Sequence, residues 1–146
     1  KSFNSFFPKN LSKNIRNKLL KIWKLKLKNN LNLHDKIEFD VAITCFDFDL
    51  KNRLKQKEYS SLTIKEKKEI FEKYKKFSFD LILNVDFDKY LKRLDRLNKN
   101  SYFKKNDFNK QILNIASNGI VPFAILARHA FIGQSLLKSL EKTPIF

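Results

Sequence analysis

Glycine occurs twice, proline three times, cysteine once and methionine not at all in these 146 residues. So few chain-breaking residues, with no repeat at a fixed period, leave nothing to mark a linker, and a single domain spanning residues 1–146 is expected. Cys45 alone cannot close an internal disulfide, and no Cys/His cluster has zinc-ligand spacing, so no metal site is expected and the reducing cytoplasm is the natural compartment. The opening stretch KSFNSFFPKNLSK lacks the apolar core and cleavage site of a secretory signal. No run of apolar residues approaches the ~20 needed to cross a bilayer, so no span is expected. A glycine-rich phosphate loop, a Gly-x-Ser-x-Gly elbow and a His-Glu-x-x-His pair are all missing. With Lys at position 1 and no Met, the chain reads as an interior piece of a larger enzyme, inactive by itself.

Acids are also scarce: 15 against 31 Lys and Arg, giving a net charge of +16, with none before Asp35. Such a charge attracts polyanions through counterion release. Lys, Asn, Ile and Phe are abundant together, however, as an AT-rich genome would make them at tolerant surface positions, and nucleic acid is therefore disfavoured as a partner. The apolar fraction of 42%, including 15 Phe, is rich enough for a packed core and too rich for disorder.

Hydrophobic spacing predicts a mainly α fold of four to five helices with one short β-strand. Leu11, Ile15, Leu19, Ile22, Trp23 and Leu27 lie on one arc of a helix over residues 11–28, with Lys13, Asn17, Lys21, Lys24 and Lys28 opposite. Residues 36–46, KIEFDVAITCF, alternate as a strand would, although the nearest candidate partner, residues 80–87, also fits the middle of a helix. Thr63 and Glu66 make a capping-box pattern ahead of helical spacing from Ile70 to Leu97, read as one long helix or two abutting. Asn106 can cap a helix over residues 107–118, with Phe108, Ile112, Ile115 and Ala116 expected to face inward, that Gly119 would stop in the left-handed conformation. Pro122 then opens a last helix, apolar around most of its circumference and expected at the centre of the core.

Four residues are candidates for substrate binding. Arg128 shares a stripe of the last helix with Ser135 and Ser139; it can clamp a carboxylate or phosphate, or pair with Asp47 or Asp49 in a structural role. His129, on the opposite side, can shuttle a proton or satisfy one hydrogen bond in the core. Asp47 and Asp49 can together hold an ammonium group or a metal, though Asp86 and Asp88 repeat the spacing, and capping of the helix after Asp49 is its more ordinary role. His34 beside Asp35 reads as a solvated turn.

Two stretches, LHDKIEFDVAITCFDFDL at 33–50 and ASNGIVPFAILARHAFIGQSLLKSL at 116–140, resemble the central region of phosphotransferases related to phosphoenolpyruvate synthase and pyruvate phosphate dikinase. Within that group the composition is similar to L-glutamine kinases of capsular phosphoramidate synthesis. The resemblance implies a middle, acceptor-side or linking domain. It also implies an ATP-grasp domain and a phosphohistidine domain elsewhere in the same polypeptide, with ATP and Mg held there and no cofactor in this fragment. Neither His34 nor His129 has the Gly- and Ser/Thr-rich surroundings of a phosphorylated histidine, so no catalytic residue carries over. If glutamine is the acceptor, Arg128 would suit its carboxylate, Asp47 or Asp49 its ammonium, and His129 its amide. Two other readings remain open: a basic helical module that binds RNA or an anionic surface through the lysine face of residues 13–28, and a structural spacer.

Overall fold

Helices begin where the sequence supplies caps. In a computed structural model, which describes residues 3–99 and 108–142, Ser12 Oγ accepts the Ile15 amide at 3.3 Å and starts α1 (Lys13–Asn29). The arc read from the sequence is the buried one: Ile15, Leu19, Trp23 and Leu27 face inward, while Lys13, Asn17, Lys21, Lys24 and Lys28 are exposed. After a four-residue helix, α2 (Leu50–Arg53), the Thr63 amide donates to Glu66 Oε2 at 2.8 Å and the Glu66 amide to Thr63 Oγ1 at 3.2 Å. This reciprocal capping box opens α3 (Ile64–Leu83). Of the two readings, one long helix or two abutting, the structure has the second: α3 ends, and Asp86 Oδ1 takes the Lys89 amide at 3.0 Å to start α4 (Phe87–Lys99).

α5 (Phe108–Ile115), a π-turn over Ala116–Ile120 and α6 (Val121–Leu140) form one uninterrupted helix, Phe108–Leu140. The expected cap at Asn106 lies outside the described residues. Gly119 does not stop a helix, for neither glycine has positive φ. The wider turn, in which the Val121 amide reaches Ala116 O, carries the helix past Pro122, which has no amide to donate. Gly119 answers a close approach instead: a Cβ there would stand 2.8 Å from Leu97 Cδ2. The 33-residue helix is also long and apolar enough, by length and composition, to cross a membrane, although no unbroken apolar run in it is that long.

The chain is thus predominantly helical as expected, with six α-helices among the described residues, but the strand at 36–46 is not formed. A 3-10 turn (Leu31–Lys36) leads into a π-turn (Ile37–Val41), and residues 42–49 follow without regular structure. Ile37 and Val41, four apart, satisfy a helical turn as well as an alternating strand, and both are buried. With no strand among the described residues to pair with, backbone groups bond locally, as in Ala42 N to Ile37 O at 2.9 Å.

The residues group into two compact units, Lys1–Asp80 with Ile132–Phe146, and Leu81–Phe131. The first contains the hydrophobic core. Trp23, fully buried, stacks on Phe7 at 5.1 Å between centroids and shares one core with residues of α1, of segment 37–54, and with Tyr59, Leu62, Ile70 and Tyr74. The last helix is not its centre: of α6 only Pro122, Ile132 and Ser139 are buried, and Phe123 and Leu137 are each 67% exposed. Apolar circumference alone therefore did not predict burial.

Lys18 Nζ lies 2.7 Å from Glu66 Oε1 and tethers α1 to the start of α3. Hydrogen bonding from Lys18 and from the Thr63 amide holds the Glu66 carboxyl below its ordinary 4.5. A lowered carboxyl contributes stability above the unfolded value and loses it as pH falls through the folded one. Glu66→Gln should therefore be less stable than the parent at neutral pH, with the gap closing below pH 4.5; urea titrations at a series of pH values would check this.

Candidate functional site

The geometry of the first unit depends on how residues 42–49 are held. Phe46 N donates to Ser78 Oγ of α3 at 2.8 Å, Phe48 N to Ser139 Oγ of α6 at 3.0 Å, and Asp49 N to Asp47 Oδ1 at 3.0 Å. Ser78 and Ser139 are themselves buried, 1% and 4% exposed, so each hydroxyl replaces a backbone partner that a sheet would have supplied. Phe46 is fixed further by an edge-to-face contact with Phe71.

This fastening opens a cavity of about 260 Å³ lined from segment 38–49, from α2 and the turn after it, and from the end of α6. Ser135, Lys138, Ser139 and Lys142 recur at helical spacing and line it together. Asp47, Asp49, Cys45 and Arg53 line it as well. The cavity is therefore polar and carries both signs of charge.

Asp47 is 7% exposed, and its Oδ2 takes a close hydrogen bond from Arg53 Nη2. Burial pushes its carboxyl above the ordinary value, against the opposing pull of Arg53 and the Asp49 amide. A second cation would complete the compensation. Arg53 Nε is buried and has no hydrogen-bond partner among the described residues. Asp49 is half-buried and stands at the cap position of α2, but its carboxylate takes the Asn52 side chain at 3.2 Å rather than a backbone amide. Burial raises the Cys45 thiol, and Tyr59, nearby in the lining, is pushed up to about 12 by burial and by Glu58. Both are neutral at physiological pH. Among the described residues no three His, Cys, Asp or Glu side chains group as metal ligands.

Of the four predicted site residues, Asp47 and Asp49 are brought together here. Arg128 and His129 belong to the second unit. There both His129 ring nitrogens lie against backbone carbonyls, Nδ1 at 2.6 Å from Ile125 O and Nε2 at 2.9 Å from Leu81 O, and Phe87 packs edge-on at 5.1 Å. The stripe through Ser135 and Ser139 was legible, but the cations that accompany it into the cavity are Lys138 and Lys142. Their positions, i+3 and i+7 from Ser135, were the available signal. Arg53 and Ser78 were missed because their partners are distant in sequence or irregular in structure. No family profile, curated protein or solved structure matches the chain.

Ser78→Ala leaves the Phe46 amide buried and unpaired, a cost of about 1–3 kcal/mol. Equilibrium urea unfolding should show that loss together with altered chemical shifts at Cys45 and Asp47, because the segment that carries them loses its fastening.

Proposed function

We propose that this chain is the acceptor-side part of an ATP-dependent phosphotransferase that works through a phosphohistidine on another domain, and that its cavity receives an amino-acid amide, L-glutamine first among those to test. The observation that carries this reading is the presence of carboxylates and ammonium groups in one small cavity: Asp47 and Asp49 with Lys138 and Lys142. A zwitterion needs both. Its α-carboxylate is served by Lys138 and Lys142, and its ammonium by Asp49 and Asp47. Ser135 and Gln134 are neutral hydrogen-bonding groups suited to an amide. Support also comes from the place of the family resemblance: the two stretches that carry it, 33–50 and 116–140, supply most of these lining residues.

In this reading the chain binds and orients. It contributes no nucleophile or phosphorylated residue; ATP and Mg belong to the ATP-grasp domain of the full enzyme, and the gain in rate comes from holding the acceptor amide where a phosphohistidine can reach it.

Titration with L-glutamine at about 150 mM salt, where exposed charges are screened beyond about 8 Å, followed by protein-observed NMR, tests the proposal. Saturable shifts are expected at Cys45, Asp47, Asp49 and Ser135, and Asp49→Asn and Lys138→Ala should each weaken binding about tenfold, the worth of one charge-assisted contact. Absence of saturable shifts in the cavity would contradict the reading, and shifts confined to residues 13–28 on addition of RNA would replace it with the basic binding module.

A further inference from the structure

The second unit, residues 81–131, contrasts with the first in where its apolar side chains lie. Among its described residues Pro122 is the one buried apolar side chain, whereas Phe108 is 73% exposed, Leu113 68%, Phe123 67% and Ile120 62%. Phe108, Ile112 and Ile115 recur at the 4 and 3 spacing that aligns them on one side of α5, and Ile120 and Phe123 are a turn apart. The helix that carries them contains an 18-residue window of mean hydropathy 1.4, of which only 11% is buried. A core helix of that composition would be covered. This one is not.

The same unit is cationic. Lys89, Lys92, Arg96 and Lys99 are exposed on α4 at positions i, i+3, i+7 and i+10, which places them along one side of that helix. Arg93, between them, is spent on the Ser117 carbonyl. Exposed apolar residues accompanied by a row of lysines and arginine are what an anionic lipid surface recognises: the apolar side chains enter the boundary between headgroups and acyl chains, and the cations meet the phosphates. A nucleic acid would use the charges and leave the apolar face in water. A second copy of this chain would bring together two bodies of net charge +16. A span through the bilayer would carry Arg128 and His129, near the middle of the apolar stretch, into the hydrocarbon.

We infer that residues 81–131 dock on an anionic membrane surface, with Phe108, Ile112, Ile115, Ile120 and Phe123 as the inserted face and Lys89, Lys92, Arg96 and Lys99 as the headgroup contacts. This inference does not depend on what fills the cavity of the first unit. It gives the chain a second partner, a lipid surface.

Co-sedimentation of the full chain with vesicles tests it, using phosphatidylcholine alone and an equimolar mixture with phosphatidylglycerol. The chain should partition onto the mixed vesicles and less onto the neutral ones. Ile120→Ser with Phe123→Ser should lower the partition coefficient about tenfold or more, the transfer worth of two such side chains. Lys92→Glu with Arg96→Glu should lower it comparably, and raised salt should weaken binding of the parent. All four residues lie on helix surfaces, and circular dichroism would verify that both variants keep the parent's helix content. Failure to sediment with mixed vesicles would overturn the inference. So would binding that is indifferent to the Ile120 and Phe123 changes, which would assign it to the lysine face of α1, or a concentration-dependent dimer that those changes dissolve while vesicles remain unbound.

Discussion

An irregular segment inside a core must find partners for its amides away from any sheet, and residues 42–49 find them in two serine hydroxyls. Ser78 of α3 and Ser139 of α6 accept from Phe46 and Phe48, and Asp47 accepts from Asp49 two residues on. Each of these bonds is worth about 1 kcal/mol net, but leaving such an amide buried and unmade costs more, so the pairing acts chiefly as a constraint on where the segment can lie. Everything proposed for the cavity follows from that constraint. It sets Cys45, Asp47 and Asp49 in one lining with the serines and lysines of α6, and it turns Asp47 toward Arg53.

Features dominated by local spacing were legible in the sequence. The arc of α1, its exposed lysines, and the Thr63–Glu66 capping box depend on residues three or four apart, whose side chains meet whenever the helix forms. Where two periods fit the same residues, the sequence was ambiguous. Ile37 and Val41 satisfy alternation and one helical turn equally, and the absence of a strand to pair with decided for the turn. Gly119 was read as a helix stop because glycine often is one; its actual reason, the Leu97 side chain beside it, comes from α4 and leaves no trace in neighbouring residues.

The candidate site was half legible for the same reason. Asp47 and Asp49 stand out as a pair in sequence, and both line the cavity. Arg128 was the conspicuous cation of the last helix, but the cations that join the two aspartates are Lys138 and Lys142, unremarkable among so many lysines, together with Arg53 from a four-residue helix. Apolar composition misled in a further way. α6 and α5 look like core elements by residue type, yet the buried aromatic centre is Trp23 with Phe7, and Phe108, Ile112, Ile115, Ile120 and Phe123 face outward. Two kinds of surface thus coexist in the chain: a small polar cavity with charges of both signs, and an apolar face accompanied by a cationic row.

The two amides that the serines hold fix residues 42–49 against α3 and α6. Native-state hydrogen exchange followed residue by residue measures them directly. The account predicts that the Phe46 and Phe48 amides, though outside any helix, exchange as slowly as the buried amides around Ile70 and Tyr74 in α3, opening only with the unfolding of the first unit. Exchange of both at the rate of an exposed loop would contradict it, and with it the fixed placement of Asp47 and Asp49 in the cavity.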